Sequence, residues 1–101
     1  MRPDWELLVS WVAVVEAGSV SGAAQALHIS QAAVSQRVKR LESLLATPLL
    51  DRATRPAQPT PAGWRLFEDS KDLLARARRM IDSTRSAAVT GHGRRVRHSS
   101  A

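Results

Sequence analysis

Three closely spaced prolines constrain the fold of this chain more than any other feature of its sequence. Pro48, Pro56 and Pro59 exclude a continuous helix between residues 46 and 60, because proline lacks the amide hydrogen and clashes with the preceding turn. The residues between these prolines are too few for more than a two-stranded hairpin. Helical patterns occupy the segments on either side, so the sequence predicts a mainly α fold with one small β-hairpin.

The segment before the prolines divides into three short helices. The first is predicted between Asp4, a candidate N-cap, and Gly18, which supplies a left-handed C-cap residue. Its predicted apolar face consists of Trp5, Leu8, Trp11, Val12 and Val15. Ser21 is the predicted N-cap of the second helix, which is expected to end near His28.

The third helix is predicted from about Gln31 to Leu45, with Ser30 as its N-cap and Ile29 buried in the turn before it. One face of this helix is apolar and consists of Val34, Val38, Leu41 and Leu45. The opposite face is polar and basic and consists of Ala32, Ser35, Gln36, Lys39, Arg40 and Ser43. Arg37 is expected on the surface or paired with Glu42.

The hairpin arms are predicted at Leu49–Arg52 and Ala57–Thr60. Pro59 cannot donate to a ladder, so the second arm is expected to be an irregular edge. Thr60 followed by Pro61 is typical of a helix start, with threonine as the cap and proline at the first helical position. The helix that begins there is predicted to extend through residue 89.

This last helix would be about 40 Å long, which is more than so small a domain can cover. Its apolar stripe consists of Leu66, Phe67, Leu73, Leu74, Ala77, Met80 and Ile81. We expect the stripe to pack against the same helix of a second subunit, so that residues 61–89 act as a dimerisation helix. The alternative is that the helix folds back along its own domain. Residues 90–101 have no periodicity and are predicted to be a disordered basic tail.

Two short helices joined by a tight turn, the second with an exposed polar face, form a helix-turn-helix. With the hairpin as a wing, residues 1–60 are predicted to be a winged helix-turn-helix domain that binds double-stranded DNA. Reading base edges in the major groove requires short side chains at the closest approach and amides that can bond to bases. The candidate base-reading residues are Gln31, Ala32, Ser35 and Gln36.

Candidate phosphate ligands lie at the start of the third helix, along its basic face and on the wing. Ser30 and the free amides of the helix N-terminus suit a phosphate oxygen. Lys39 and Arg40 can reach flanking phosphates, which positions the helix without specifying sequence. Arg52 and Arg55 lie on the wing, where an arginine can enter the minor groove.

Composition favours a nucleic-acid partner and argues against several other classes. The 15 Lys and Arg residues exceed the 9 Asp and Glu residues, and a net charge of +6 favours polyanionic partners. Without cysteine or clustered histidines, no metal or other cofactor is expected. The longest apolar run, Trp11–Val15, is too short to span a membrane, and no catalytic triad or phosphate loop indicates an enzyme. A cytoplasmic, nucleoid-associated protein is expected.

The run Ala23–Ser35 (AAQALHISQAAVS) strongly resembles the N-terminal domain of LysR-type transcriptional regulators. The resemblance continues through Val38–Glu42 and Leu49–Arg52, and then from Thr54 to Gly63. It covers roughly residues 5–81. It implies a winged helix-turn-helix and a linker helix that forms an antiparallel dimer, which binds an interrupted inverted repeat near a promoter.

The resemblance also implies a role for individual residues. By position, the base-facing residues would be Gln31, Ala32, Ser35 and Gln36. The phosphate ligands would be Ser30, Lys39, Arg52 and Thr60. Arg55 and Pro56 would form the wing tip near the minor groove.

The sequence departs from the family pattern at three positions and in length. Ala32 stands where the family usually has proline, Ala46 replaces a common glycine, and Leu50 replaces a frequent phenylalanine. Family members continue into a domain that senses a small molecule and pairs dimers into tetramers. We therefore expect this chain to be a DNA-binding fragment or a truncated product, with a natural short regulator as the alternative; in each case no effector pocket of its own is expected.

Two other interpretations remain at this stage. A molybdate-responsive type of regulator shares the winged helix and the long helix, but the run Ser30–Ser35 fits the LysR type better. The second is a degenerate winged helix that dimerises, or binds other proteins, without specific DNA binding. The polar set Gln31, Ser35, Gln36, Lys39 and Arg52 argues against it, because such a module has no need of that face.

Overall fold

A computed structural model describes residues 4–90 of the chain. The elements are α1 (Trp5–Ala17), α2 (Val20–Leu27), α3 (Gln31–Leu45), β1 (Leu50–Asp51), β2 (Gln58–Pro59) and α4 (Pro61–Thr90). The two strands are antiparallel, with Leu50 opposite Pro59 and Asp51 opposite Gln58. The predicted mainly α fold with a small hairpin is confirmed. The predicted tail from residue 91 onward lies outside the described residues.

Helix α1 buries part of the predicted face together with two residues outside it. Leu7, Leu8, Trp11 and Val14 are buried, whereas Trp5 is 50% exposed and Val12 is only half-buried. Nearly every position of α1 is apolar, so the three- and four-residue spacing fits more than one face. The contacts with α2 and α3 decide between those faces. Trp11 is fully buried, and its Nε1 donates a hydrogen bond to the carbonyl oxygen of Gly63, 2.9 Å away.

The start of α2 corrects the predicted cap. Ser19, not Ser21, is the N-cap, and its hydroxyl accepts a hydrogen bond from the amide of Gly22 at 2.9 Å. Ser19 has the extended backbone that a cap requires, whereas Ser21 already lies within the helix. Gly18 ends α1 in the left-handed region with φ of 77°, as predicted. Asp4 occupies the N-cap position of α1, but its side chain makes no capping bond.

Helix α3 begins and ends where predicted, and Val34, Val38 and Leu41 bury its apolar face. Arg37, by contrast, does not pair with Glu42. Its guanidinium donates to the hydroxyl of the fully buried Ser10 at 3.0 Å, and lies 3.8 Å from the carboxylate of Glu6. Arg37 therefore ties α3 to α1.

Ala46, which ends α3, adopts a left-handed backbone with φ of 54°. A side chain in this region costs about 1–2 kcal/mol, which glycine avoids. Because glycine also gives the unfolded chain more freedom, we expect Ala46→Gly to raise the free energy of unfolding by about 0.5–1 kcal/mol. Urea denaturation of the two proteins measures this difference. The matched control is Ser43→Gly within α3, which should lower stability by about 1 kcal/mol; a loss for both variants would contradict the assignment.

The hairpin and the start of α4 are joined by the capping residue Thr60. Its hydroxyl accepts a hydrogen bond from the amide of Gly63 at 3.0 Å, as predicted for an N-cap, and donates to the carbonyl oxygen of Pro48 at 2.8 Å. Its own amide donates to the carbonyl oxygen of Leu49 at 2.9 Å. The segment before β1 is thereby attached to the first turn of α4.

The first three turns of α4 belong to the same compact unit as α1, α2 and α3, which extends through Lys71. Phe67 is only 8% exposed and lies in the core, where it meets the ring of Trp64 edge to face at 5.9 Å. Ser70 is also buried, and within residues 4–90 its hydroxyl has no hydrogen-bond partner. The second unit begins at Asp72, and its described residues 72–90 are helical.

Candidate nucleic-acid interface

The turn between α2 and α3 is closed by backbone bonds and by one serine. His28 is left-handed with φ of 59°, and the amide of Ile29 donates to the carbonyl oxygen of Ala24 at 3.1 Å. Ser30 caps α3, because its hydroxyl accepts from the amide of Ala33 at 3.0 Å. The Ser30 side chain is exposed, so its own hydroxyl hydrogen can still be donated to a ligand. Ile29, predicted to be buried, is half-buried.

The outward face of α3 carries most of the predicted base-reading and phosphate-binding residues. The exposed ones are Gln31, Ala32, Gln36, Lys39 and Arg40. Ser35 is half-buried, so it is less accessible than its neighbours. Because residues three and four apart share a helix face, Ala32, Gln36 and Lys39 lie along one line. Small, amide and basic side chains follow one another along this line.

This face forms part of a shallow concave surface that begins at the N-terminal end of α1. From α3, the surface includes Ala33, Gln36, Arg37, Lys39, Arg40 and Ser43, and from the start of α1 it includes Asp4, Glu6 and Leu7. Two exposed cations, Lys39 and Arg40, lie beside an amide that can bond to a base. The combination suits a polyanion with readable edges.

A second concavity, of about 290 Å³, has the opposite character. It lies between the end of α1, the start of α2 and the hairpin, and its lining includes Val15, Val20, Pro59 and Trp64. No lining residue is charged. Since cations supply most of the affinity for a phosphate backbone, the α3 face with Lys39 and Arg40 is the better candidate for nucleic acid.

The tip of the hairpin is shaped by side-chain bonds to the backbone. The carboxylate of Asp51 accepts from the amide of Ala53 at 3.0 Å, and the hydroxyl of Thr54 accepts from the amide of Gln58 at 3.1 Å. The same hydroxyl lies 3.1 Å from the carbonyl oxygen of Pro56. Arg55 and Pro56 are exposed at this tip, and Arg55 forms no ion pair within residues 4–90. Its charge is available to a ligand.

Arg52, in contrast, already has a partner. Its Nη1 lies 3.4 Å from Oε2 of Glu42 and its Nη2 lies 3.5 Å from Oε1. Glu42 also accepts hydrogen bonds from the amides of Leu49, at 2.7 Å, and Leu50, at 3.3 Å. Burial raises the pKa of Glu42, but the two amides and Arg52 together lower it below its usual value. Glu42 is therefore a charged acceptor at neutral pH.

Glu42 is a residue that sequence reasoning missed. The sequence indicates for it only a possible pairing with Arg37. Its place as a lone acid after Arg37, Lys39 and Arg40 is the one local signal of a structural role. Ser10 was missed as well, because a serine within an apolar helix gives no indication that it receives an arginine.

Thr60, inferred from the resemblance to hold a phosphate, has its donors engaged within the chain. Its hydroxyl hydrogen goes to Pro48 and its amide hydrogen to Leu49. A phosphate oxygen requires a donor, so the geometry of Thr60 favours a structural role over a ligand role.

Of the seven predicted dimer residues of α4, two lie in the first compact unit and five lie in the second. Phe67 is buried and Leu66 packs against the same core, so both are engaged within the chain. In residues 72–90, Leu73, Met80 and Ile81 are exposed, by 47%, 62% and 47%, and Leu74 and Ala77 are half-buried. An apolar stripe at helical spacing is thus open along this second unit.

No helix among residues 4–90 combines the length and the apolar content that crossing a membrane requires. Within the same residues, no three His, Asp or Glu side chains come close enough together to hold a metal ion.

Residues 5–64 match the family described as bacterial regulatory helix-turn-helix protein, lysR family. The transcriptional regulator TfdS of Cupriavidus pinatubonensis is 40% identical over 85 residues, which are 84% of this chain and 29% of TfdS. ArgP of Pseudomonas aeruginosa is 52% identical over 64 residues, which are 63% of this chain and 21% of ArgP. The chain therefore spans less than a third of the length of these relatives.

Solved structures with the same fold include domains bound to DNA. The crystal structure of the BenM DBD/catB site 1 DNA complex superposes with a TM-score of 0.81 at 34% identity, covering 84% of this chain and 96% of that one. The CbnR DBD–DNA complex gives a TM-score of 0.78 at 36% identity, covering 84% of this chain and 98% of that one. The match over residues 5–64 spans more than half of the sequence, so this chain belongs to the LysR family of bacterial helix-turn-helix transcriptional regulators and contains that family's helix-turn-helix domain.

Proposed function

We propose that the described part of this chain binds double-stranded DNA in a sequence-specific manner as part of a transcriptional regulator. The observation that carries the proposal is the exposed face of α3, where Gln36 stands between the small Ala32 and the cation Lys39. This arrangement suits a helix lying in the major groove. The DNA complexes of the BenM and CbnR domains support the same mode of binding.

Within this mode the side chains divide into two classes. Gln31, Ala32, Ser35 and Gln36 face base edges. Ser30, Lys39 and Arg40 hold phosphates, and the exposed Arg55 with Pro56 approaches the minor groove. Arg52 contributes to the phosphate contacts only as far as its bond to Glu42 allows. A regulator of this kind would reside with the chromosome in the cytoplasm.

We further propose that two chains pair through α4 and bind an interrupted inverted repeat. The open stripe of Leu73, Met80 and Ile81, with Leu74 and Ala77 beside it, supports this pairing. A two-fold dimer presents two copies of α3, and its operator would have matching two-fold symmetry. Residues 61–89 would then serve both as the last part of the core and as the dimerisation helix.

Selection of bound duplexes from a random pool, at physiological salt, tests the proposal. The wild-type chain should enrich an interrupted inverted repeat. Bound DNA without an enriched motif would show that this chain supplies only electrostatic affinity, and would contradict sequence-specific binding.

Substitution of Gln36 and Lys39 separates base reading from phosphate binding. We expect Gln36→Ala to reduce the discrimination between the selected site and random DNA by about 1–3 kcal/mol, because a bidentate bond to a base is lost. Lys39→Ala should weaken binding to both DNAs equally. It should also reduce the slope of log affinity against log salt concentration by about one unit. Fluorescence anisotropy at several salt concentrations measures both effects. Equal losses on both DNAs for Gln36→Ala would remove Gln36 from the base-reading residues.

A further inference from the structure

We propose that Glu42 is a positioning residue for DNA recognition, which fixes the wing relative to the recognition helix without touching DNA. This inference rests on the proposed DNA-binding function and deepens it. Glu42 belongs to α3, but its carboxylate binds the first arm of the hairpin and the residue before it, at Leu49, Leu50 and Arg52.

One carboxylate accepts from two successive amides, Leu49 at 2.7 Å and Leu50 at 3.3 Å, and Leu50 is the first residue of β1. The Glu42 side chain is only 16% exposed, so water does not replace these bonds readily. A charged acceptor makes them stronger than bonds between neutral groups. The root of the hairpin is therefore held directly by α3.

The hairpin itself has very little strand pairing. Each strand has only two residues, and the second contains Pro59, which has no amide hydrogen to donate. A ladder this short cannot hold the wing in place by itself. Besides the packing of Leu50 and Ala57 against the core, its orientation depends on the bonds at its two roots, namely Glu42 at β1 and Thr60 at the end of β2.

Arg52, which follows β1, is a further attachment between Glu42 and the wing. Its two contacts with Glu42 extend the attachment by two residues beyond Leu50, toward the exposed tip at Arg55. Shortening the side chain of residue 42 would release both the amides and the guanidinium. Arg55 would then meet the minor groove from a less defined position, and recognition of groove width would weaken.

A pair of conservative variants tests this role. Glu42→Asp keeps the charge but is one methylene shorter, so its carboxylate cannot hold Leu49 and Arg52 together. Glu42→Gln keeps the length and one oxygen acceptor but loses the charge. We expect Glu42→Asp to lower the discrimination between selected and random DNA about ten-fold. Glu42→Gln should lower it less, because its oxygen can still accept from the amides of Leu49 and Leu50 although its NH2 group no longer pairs with Arg52. Both variants are measured below their melting temperatures.

The readout that distinguishes positioning from a general loss of stability is a double-mutant cycle with Arg55→Ala. If Glu42 acts through the wing, the ten-fold effect of Glu42→Asp should largely disappear in the Arg55→Ala background. It should persist in the Gln36→Ala background, because that residue reads bases from α3 itself. Amide hydrogen exchange should accelerate at Leu49 and Leu50 in Glu42→Asp and remain unchanged at Val38.

Discrimination in Glu42→Asp equal to that of the wild type would overturn the proposal. A loss of the same size in the Arg55→Ala background would overturn it as well. Failure of the underlying function has a different signature, because the wild-type chain itself would then fail to discriminate between the two DNAs.

Discussion

Replacing Gly63 with alanine is expected to lower the free energy of unfolding by about 3 kcal/mol or more. A Cβ atom at this position would overlap the carbonyl oxygen of Leu49 and lie 2.8 Å from Cζ2 of Trp11. One of these neighbours is backbone and the other is a fully buried ring, so neither can move away easily. The change would also displace the carbonyl group that accepts the bond from Trp11 Nε1. Urea denaturation followed by tryptophan fluorescence measures the loss.

Gly18→Ala is the matched control for this prediction. Gly18 has φ of 77°, but no atom lies within 4 Å of a Cβ built on it. Gly18→Ala should lower the free energy of unfolding only by the backbone penalty of a left-handed residue, about 1–2 kcal/mol. If Gly63→Ala proves as stable as Gly18→Ala, the close packing of α4 against α1 and the hairpin is incorrect.

Ile81→Glu is expected to convert the proposed dimer into monomers. Ile81 is 47% exposed in the single chain, and burying such a side chain contributes about 1.5–3 kcal/mol. A two-fold interface contains the residue twice, and it would now bury two like charges. The dissociation constant of the dimer should therefore rise by about two orders of magnitude or more. Sedimentation equilibrium of the two proteins at micromolar concentration measures this change, and binding to an inverted repeat should weaken with it.

Ser86→Glu provides the control on the same helix. It introduces the same charge about 140° around the helix axis from Ile81 and about 180° from Ala77, on the side opposite the stripe. Ser86 is exposed in the single chain. Dissociation by both variants to the same extent would indicate general repulsion. A dimer that withstands Ile81→Glu would refute pairing through this stripe.

Much of the fold was predictable because its signals are local. Pro48, Pro56 and Pro59 interrupt any continuous helix through their segment, and Gly18 and Thr60 end or begin helices through their own backbone and hydroxyl groups. The polar face of α3 was likewise visible from spacing alone, and the structure leaves that face exposed.

The predictions that were wrong depended on contacts between elements or on a choice between adjacent residues. Trp5 and Leu7 are equally apolar, and only the packing of α1 against α2 and α3 selects Leu7 for burial. Ser19 and Ser21 are identical side chains, and the extended backbone after Gly18 makes Ser19 the cap. Phe67 lies on the predicted interface stripe and also packs in the core of its own chain, so its part in a dimer stays a prediction.

The charged residues show the same division. From the sequence, Arg37, Arg52 and Arg55 are equivalent cations, and any acid nearby is a possible partner. In the tertiary structure Arg37 contacts Ser10 and Glu6, Arg52 pairs with Glu42, and Arg55 is exposed. The sequence by itself determined the order of the helices, their caps at Gly18, Ser30 and Thr60, and the polar character of α3, because turn chemistry and helical spacing act within a few residues. Only the tertiary structure decided which apolar face of α1 is buried and which of these three arginines has no ion pair within residues 4–90. Both depend on distances between segments that are far apart in the chain.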